Sequence, residues 1–262
     1  MSFNVKLIDL SVPIEHESAS EPWPPKIRYS PDHRKGAAEM SQKFGVDTRD
    51  LLYSGGLGWA HEEVTAVTHA GTHLDAPWHY HPLSEGKAAK TIDEVPLEWC
   101  YSDGVVLDLR HKRPGELITP GDLKQALKRI NYTIKPYDIV LLMTGCDKKW
   151  GRPDYFEQPG MGRESTLWLV EIGVKIIGID AYGFDRAFKD MAEDYKRTGD
   201  GKMIWPAHFA GITKEYCHIE KLANLDKIPR PYNFKVACFP IKITRASAGW
   251  VRAVAIMVGG LI

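Results

Sequence analysis

Asp138-Ile139-Val140-Leu141-Leu142-Met143-Thr144-Gly145 decides the fold class of this chain. The apolar run Ile139 to Met143 is too short for a core helix and reads as a central strand, with Thr144-Gly145-Cys146-Asp147 leaving its C-terminal end. Glu164 to Ile172 then reads as a helix that Gly173 stops, and Lys175-Ile176-Ile177-Gly178-Ile179-Asp180 reads as a second strand. Strand, helix and strand in this order predict a parallel pair joined by a right-handed crossover. Sites in such sheets gather at the C-terminal strand ends, where Asp180 lies, placed either to orient a histidine through its second nitrogen or to cap a turn.

Outward from this unit, Gly104 to Leu109 is another buried strand. Thr119-Pro120-Gly121-Asp122 starts a helix, because Thr caps orphan amides, Pro suits the first helical position and Asp favours the positive end; Leu123, Leu127 and Ile130 share its inner face. Val5 to Val12 reads as a strand ended by Pro13, and Glu63 to Thr68 as one that delivers His69. Phe234 to Ile243 and Trp250 to Val258 are the closing strands, with Gly249 as a bend between them. Residues 26 to 58 lack a strong period and read as a long excursion that covers a site or a neighbouring subunit, and Gly183 to Trp205 reads as a charged loop. The sum is a mixed α/β fold in one domain spanning 1–262.

Composition narrows the function classes. With 34 Lys plus Arg against 34 Asp plus Glu, the formal net charge is +0, so no global field collects nucleic acid or an anionic membrane. No apolar run approaches the roughly 20 residues that span a bilayer, and Met1 to Lys6 lacks the apolar core of a signal peptide. Cys100, Cys146, Cys217 and Cys238 are scattered without zinc-knuckle or redox spacing, which fits reduced thiols in a cytoplasmic protein.

The chemistry lies in Thr68 to Pro82, which sets His69, His73, His79 and His81 around Asp75. Imidazole and carboxylate are the donors that divalent zinc, manganese or iron accept. A straight strand would hold the His69 and His73 Cα atoms roughly 13 Å apart with parallel side chains, too far to share one ion. A helix is opposed by Gly71, Thr72 and Pro77. A bend at Ala70-Gly71-Thr72 remains, with Gly71 supplying a backbone conformation that other residues resist. After it His73 and Asp75 share one face of a short extended run, and Pro77 turns the chain again to carry His79 inward. The zinc-protease helix motif fails, since Ala70 stands where it needs Glu. Two readings stay open beside a hydrolytic centre: a non-heme Fe(II) oxygenase using His73, Asp75 and a distant His, with Arg245-Ala246-Ser247 as its co-substrate element, and a metal-binding module without activity. Glu21-Pro22-Trp23-Pro24-Pro25 holds Trp23 stiffly, as an aromatic wall for a flat substrate or as a packing residue.

His69-x-Gly71-Thr72-His73-x-Asp75-x-Pro77-x-His79 resembles the signature of the cyclase family of metal-dependent hydrolases, which includes bacterial kynurenine formamidases (arylformamidases) and isatin hydrolases. A second family element, His followed after eleven residues by Glu, matches His208 and Glu220. The resemblance implies a layered β/β/α fold of the swivelling-domain type, and hydrolysis of an amide or lactam C–N bond in a small aromatic substrate. It implies His69, His73, Asp75, His208 and Glu220 as ligands for one or two zinc or manganese ions, and His79 as the proton-transfer residue. It implies substrate contact by Trp23 and self-association as a dimer or tetramer; Trp78 is a second expected substrate-binding residue, as an aromatic beside the ligands that suits an aromatic amide.

Overall fold

The computed structural model describes residues 5–30 and 32–258. Nine strands form one sheet: β1 (Val5–Asp9), β2 (His73–Asp75), β3 (Tyr101–Asp108), β4 (Ile139–Met143), β5 (Ile176–Ile179), β6 (Cys217–Glu220), β7 (Phe234–Ala237), β8 (Ala248–Trp250) and β9 (Val254–Val258). Their spatial order is β1-β9-β7-β3-β4-β5-β6-β2-β8. The four middle strands β3, β4, β5 and β6 run parallel, and the flanking pairs are antiparallel. The apolar run Ile139 to Met143 is thus the central strand, and its crossover to β5 passes through a helix as expected.

Five helices enter the account: α1 (His33–Phe44), the single turn α2 (Pro77–Tyr80), α3 (Pro120–Ile130), α4 (Arg163–Ile172) and α5 (Phe188–Thr198). Period-2 alternation splits β4 between two cores. Val140 and Leu142 face Leu123, Leu127, Leu169 and Val170 of α3 and α4, while Ile139 and Leu141 face Leu74, Val236, Val251 and Ala255 from the rest of the sheet. The sheet therefore curls over itself on one side and carries helices on the other, a mixed α/β half-barrel. The curl brings the end of β1 beside the end of β6, where Ala223 N donates to Leu10 O at 2.8 Å and Ser11 bridges Leu222. Thr119 caps α3 in a reciprocal box with Asp122, a device worth about 1 kcal/mol. Among the described residues no helix is long and apolar enough to cross a membrane.

Several boundaries differ from the sequence reading. The strand expected to deliver His69 is only Glu63–Thr65, exposed and paired with Lys26–Arg28 outside the main sheet. β7 stops at Ala237, short of the Pro240 that cannot donate to a ladder. Gly249 lies inside β8 and is no bend; a Cβ there would come within 2.7 Å of Ile241 O, so close packing requires the glycine. Both stretches read as loops hold helices, α1 and α5, which bury only Gly36 and Ala37, and Met191, respectively. α1 carries only a weak apolar period, whereas α5 sets Phe188, Met191, Ala192 and Tyr195 at helical spacing, a signal that its charged residues obscure.

Candidate metal centre and its cavity

Gly71 takes φ +59, in the left-handed region, and makes the bend that the sequence demanded. A buried ion pair holds that bend. Lys221 Nζ meets Glu21 Oε2 at 2.6 Å and donates to His69 O at 2.8 Å, while Glu21 Oε1 accepts from Gly71 N at 2.7 Å. Thr72 Oγ1 accepts from Val12 N and donates to Lys221 O, tying the same turn to β1 and β6. Beyond it β2 lies between β6 and β8, with Asp75 paired in register to His218 and His73 to Glu220.

Six expected residues converge here, joined by His218. Asp75 Oδ1 stands 2.9 Å from His69 Nδ1 and 3.3 Å from His73 Nε2. Its Oδ2 stands 3.0 Å from His218 Nε2, 3.8 Å from His79 Nε2 and 4.0 Å from His208 Nε2. Glu220 completes the set, 3.6 Å from His73 and 3.7 Å from His208. Two donor groups share Asp75: His69, His73 and Asp75 in one, and Asp75, His208, His218 and Glu220 in the other. His73 Nε2, both Asp75 oxygens and His218 Nε2 are buried without a hydrogen-bond partner among the described residues. Each such atom costs about 1–3 kcal/mol if nothing pairs with it. A divalent cation accepts lone pairs from all of them, so the donor set fits one.

The outer nitrogens are spent on orientation. His73 Nδ1 meets Gly71 O at 2.8 Å, His69 Nε2 meets Ser247 Oγ at 3.0 Å, and His208 Nδ1 meets Asp185 Oδ2 at 2.5 Å. Asp185, and not Asp180, therefore orients a histidine. Asp180 takes the turn role, accepting from Thr144 N and Oγ1 and from Gly145 N, although burial pushes its pKa up to about 7. Ser247 of the Arg245-Ala246-Ser247 segment is committed to His69. Burial opposes charge on His218, but Asp75 and Glu220 outweigh it and lift its pKa to about 9. Burial lowers His79 to about 4 despite the attraction of Asp75, so its imidazole is neutral at pH 7.

The sequence pattern did not single out His218 or Asp185. The alternation His218-Ile219-Glu220 carries the signal for the first, since residues two apart share a strand face. Asp185 has no such signal, because it is placed by backbone packing around Gly160. A Cβ on Gly160 would lie 2.1 Å from Asp185 C and Arg186 N. Gly160→Ala is expected to push that segment outward and to destabilise by about 1–3 kcal/mol, lowering Tm by roughly 2–4 °C per kcal/mol for a chain of this size. An unchanged melting curve would contradict this packing account.

A cavity of about 450 Å³ opens on the centre, lined by His69, His79, His208 and Glu220 at its inner end. Trp23, Tyr182, Phe188 and Trp205 give it aromatic walls, and Trp205 stacks on His208 at 4.3 Å between ring centroids. Trp23 is 68% exposed at the rim. Trp78 does not line this cavity and is half exposed elsewhere, and Tyr80 lies beneath the site, its hydroxyl 3.0 Å from His218 Nδ1.

Residues 8–186 match the model of the Cyclase family, described as putative cyclase. The chain belongs to the cyclase family. This cyclase-family chain is 26% identical over 217 residues to a kynurenine formamidase of Bacillus cereus, covering 78% of this chain and 88% of that relative. It is 25% identical over 248 residues to an isatin hydrolase of Roseibium aggregatum, covering 90% and 88%. Among solved structures, an isatin hydrolase bound to the product analogue thioisatinate superposes with a TM-score of 0.74 at 20% identity, over 97% of this chain and 93% of that one. An isatin hydrolase A from Ralstonia solanacearum gives 0.73, over 97% and 92%. These likenesses show the fold.

Proposed function

We propose that this protein is a metal-dependent hydrolase that cleaves an amide or lactam C–N bond in a small aromatic substrate of the N-formylkynurenine or isatin kind. The observation that carries this proposal is the set of buried, unpartnered ligand atoms on His73, Asp75 and His218, grouped with the His69, His208 and Glu220 that line the inner end of an aromatic cavity. The names of the relatives support the same class of reaction.

His69, His73 and Asp75 would hold one zinc or manganese ion, and Asp75, His208, His218 and Glu220 a second, with Asp75 shared between them. Bound there, such a cation supplies Lewis-acid activation of water and of a carbonyl oxygen. The chain's own residues do the rest. Trp23 at the rim and Trp205 deeper in the cavity give the substrate's flat body aromatic surfaces to pack on. His79 belongs to neither donor group, and its neutral imidazole takes a proton from the attacking water and returns it to the departing nitrogen, so that water is added across the C–N bond. Asp185 holds His208 in one tautomer.

His79→Ala is expected to keep its bound metal while turnover falls about 10²–10⁴-fold. Elemental analysis showing lost metal in that variant would make His79 a ligand instead. The reaction class is tested by adding zinc, manganese or iron to stripped protein and following formyl and cyclic amides by absorbance, with and without oxygen. Turnover that needs both iron and oxygen would replace hydrolysis by oxygenation; tight metal without turnover would leave a binding module.

Phe44, Leu52, Tyr53 and Leu57 stand exposed on the excursion that carries α1, which supports a homodimer or tetramer, measurable by light scattering. Four free, buried cysteines support a cytoplasmic location.

A further inference from the structure

A second cavity, of about 390 Å³, opens where the sheet splits between β3 and the segment leading into β7. β7 pairs with β3 only as far as Gly104; past it, Val106 N donates to Pro231 O and regular pairing ends. The split follows from Pro229-Arg230-Pro231, since neither proline has an N–H to give a ladder. The same prolines narrow the backbone choices of Arg230 and fix where its side chain starts.

The floor is apolar, with Val106, Met143 and Ile228, and the rim carries Arg110, Arg129 and Arg230. Two carboxylates also face the cavity, and both have partners. Asp108 is gripped by Arg110 at 2.9 and 2.6 Å, and Asp226 is bound by Lys148 at 2.8 Å. Arg129 and Arg230 are left without an ion pair among the described residues, and Arg230 Nε is buried with no hydrogen-bond partner. An arginine fork over an apolar floor matches a planar anion joined to an apolar body.

We propose that this cleft is a second ligand site, taking a small organic carboxylate whose apolar body lies on Val106, Met143 and Ile228 while its anion meets Arg129 and Arg230. No lining residue is shared with the catalytic cavity, so the site stands or falls apart from the proposed hydrolysis.

The probe is 4-fluorobenzoate, titrated into metal-loaded protein and followed by fluorine NMR, with amide shifts to locate it. Shifts at Val106, Arg129 and Leu225 are expected, together with at least about tenfold weaker binding of neutral 4-fluorobenzamide, equivalent to 1.4 kcal/mol. Arg129→Gln with Arg230→Gln is expected to abolish those shifts and to leave any binding at the catalytic cavity intact. If that double variant does not fold, Arg129→Gln alone, on the exposed face of α3, is expected to weaken the distal binding at least threefold. Equal binding of amide and carboxylate, shifts confined to the catalytic cavity, or unchanged affinity in the arginine variants would each overturn the proposal.

Discussion

Asp75→Asn is expected to empty the centre of metal and to lower turnover by more than about 10⁴-fold, about 5.5 kcal/mol of barrier at 1.36 kcal/mol per tenfold. Asp75 is the residue common to both donor groups, and both its oxygens are buried and unpartnered. Asparagine keeps the shape but removes the charge and turns one acceptor into a donor that faces ring nitrogens. Four imidazoles and Glu220 would then surround a neutral amide, a poor counterpart for a divalent cation. Elemental analysis and steady-state kinetics on one preparation check it. Retained stoichiometry with wild-type turnover would remove Asp75 from the centre of the mechanism.

Lys221→Met is expected to cost about 3–5 kcal/mol of folding stability and to weaken metal binding, although Lys221 is no ligand. The Glu21 carboxylate and Lys221 ammonium are 2% and 3% exposed at the side chain and 2.6 Å apart, so removing the cation strands a buried anion. Two of the ammonium's N–H groups are taken by Glu21 and the His69 carbonyl, and the Tyr182 ring lies 5.1 Å from it. Its work is to hold the His69-Gly71 turn. The double variant Glu21→Gln with Lys221→Met separates the two effects. A neutral amide still accepts from Gly71 N, so most of the stability should return, while metal affinity stays low because nothing grips the His69 carbonyl. Denaturant melts and a competitive chelator titration read the two quantities; full recovery of both would reduce the pair to packing.

How much of this was legible before folding follows from where each residue gets its instructions. The β4-α4-β5 unit announces itself, because an apolar run and a glycine stop are local signals. So does the turn at Gly71, since the spacing of His69 and His73 leaves few conformations that let them meet. His218 is marked only by the two-residue alternation with Glu220 on a short strand, a weaker signal than the His208 to Glu220 spacing. Asp185 and Ser247 are set by tertiary packing, and no local pattern marks a carboxylate or hydroxyl that will buttress an imidazole. The helix α1 rests on its termini, with Asp32 as cap and Gly45 closing it in left-handed conformation, whereas α5 carries Phe188, Met191, Ala192 and Tyr195 at helical spacing before Gly199 ends it.

The pairing of β2 with β6 matches Asp75 to His218 and His73 to Glu220, strands drawn from opposite halves of the chain. A nascent polypeptide emerging from the ribosome would carry His69, His73 and Asp75 long before β6 is made, and with half its claws missing it could grip an ion only weakly. A slip of one residue between these neighbours would turn one pair, His73 with Asp75 or His218 with Glu220, away from the other. Tight loading with metal would therefore report finished synthesis and correct threading, arriving last in the life of the newborn molecule.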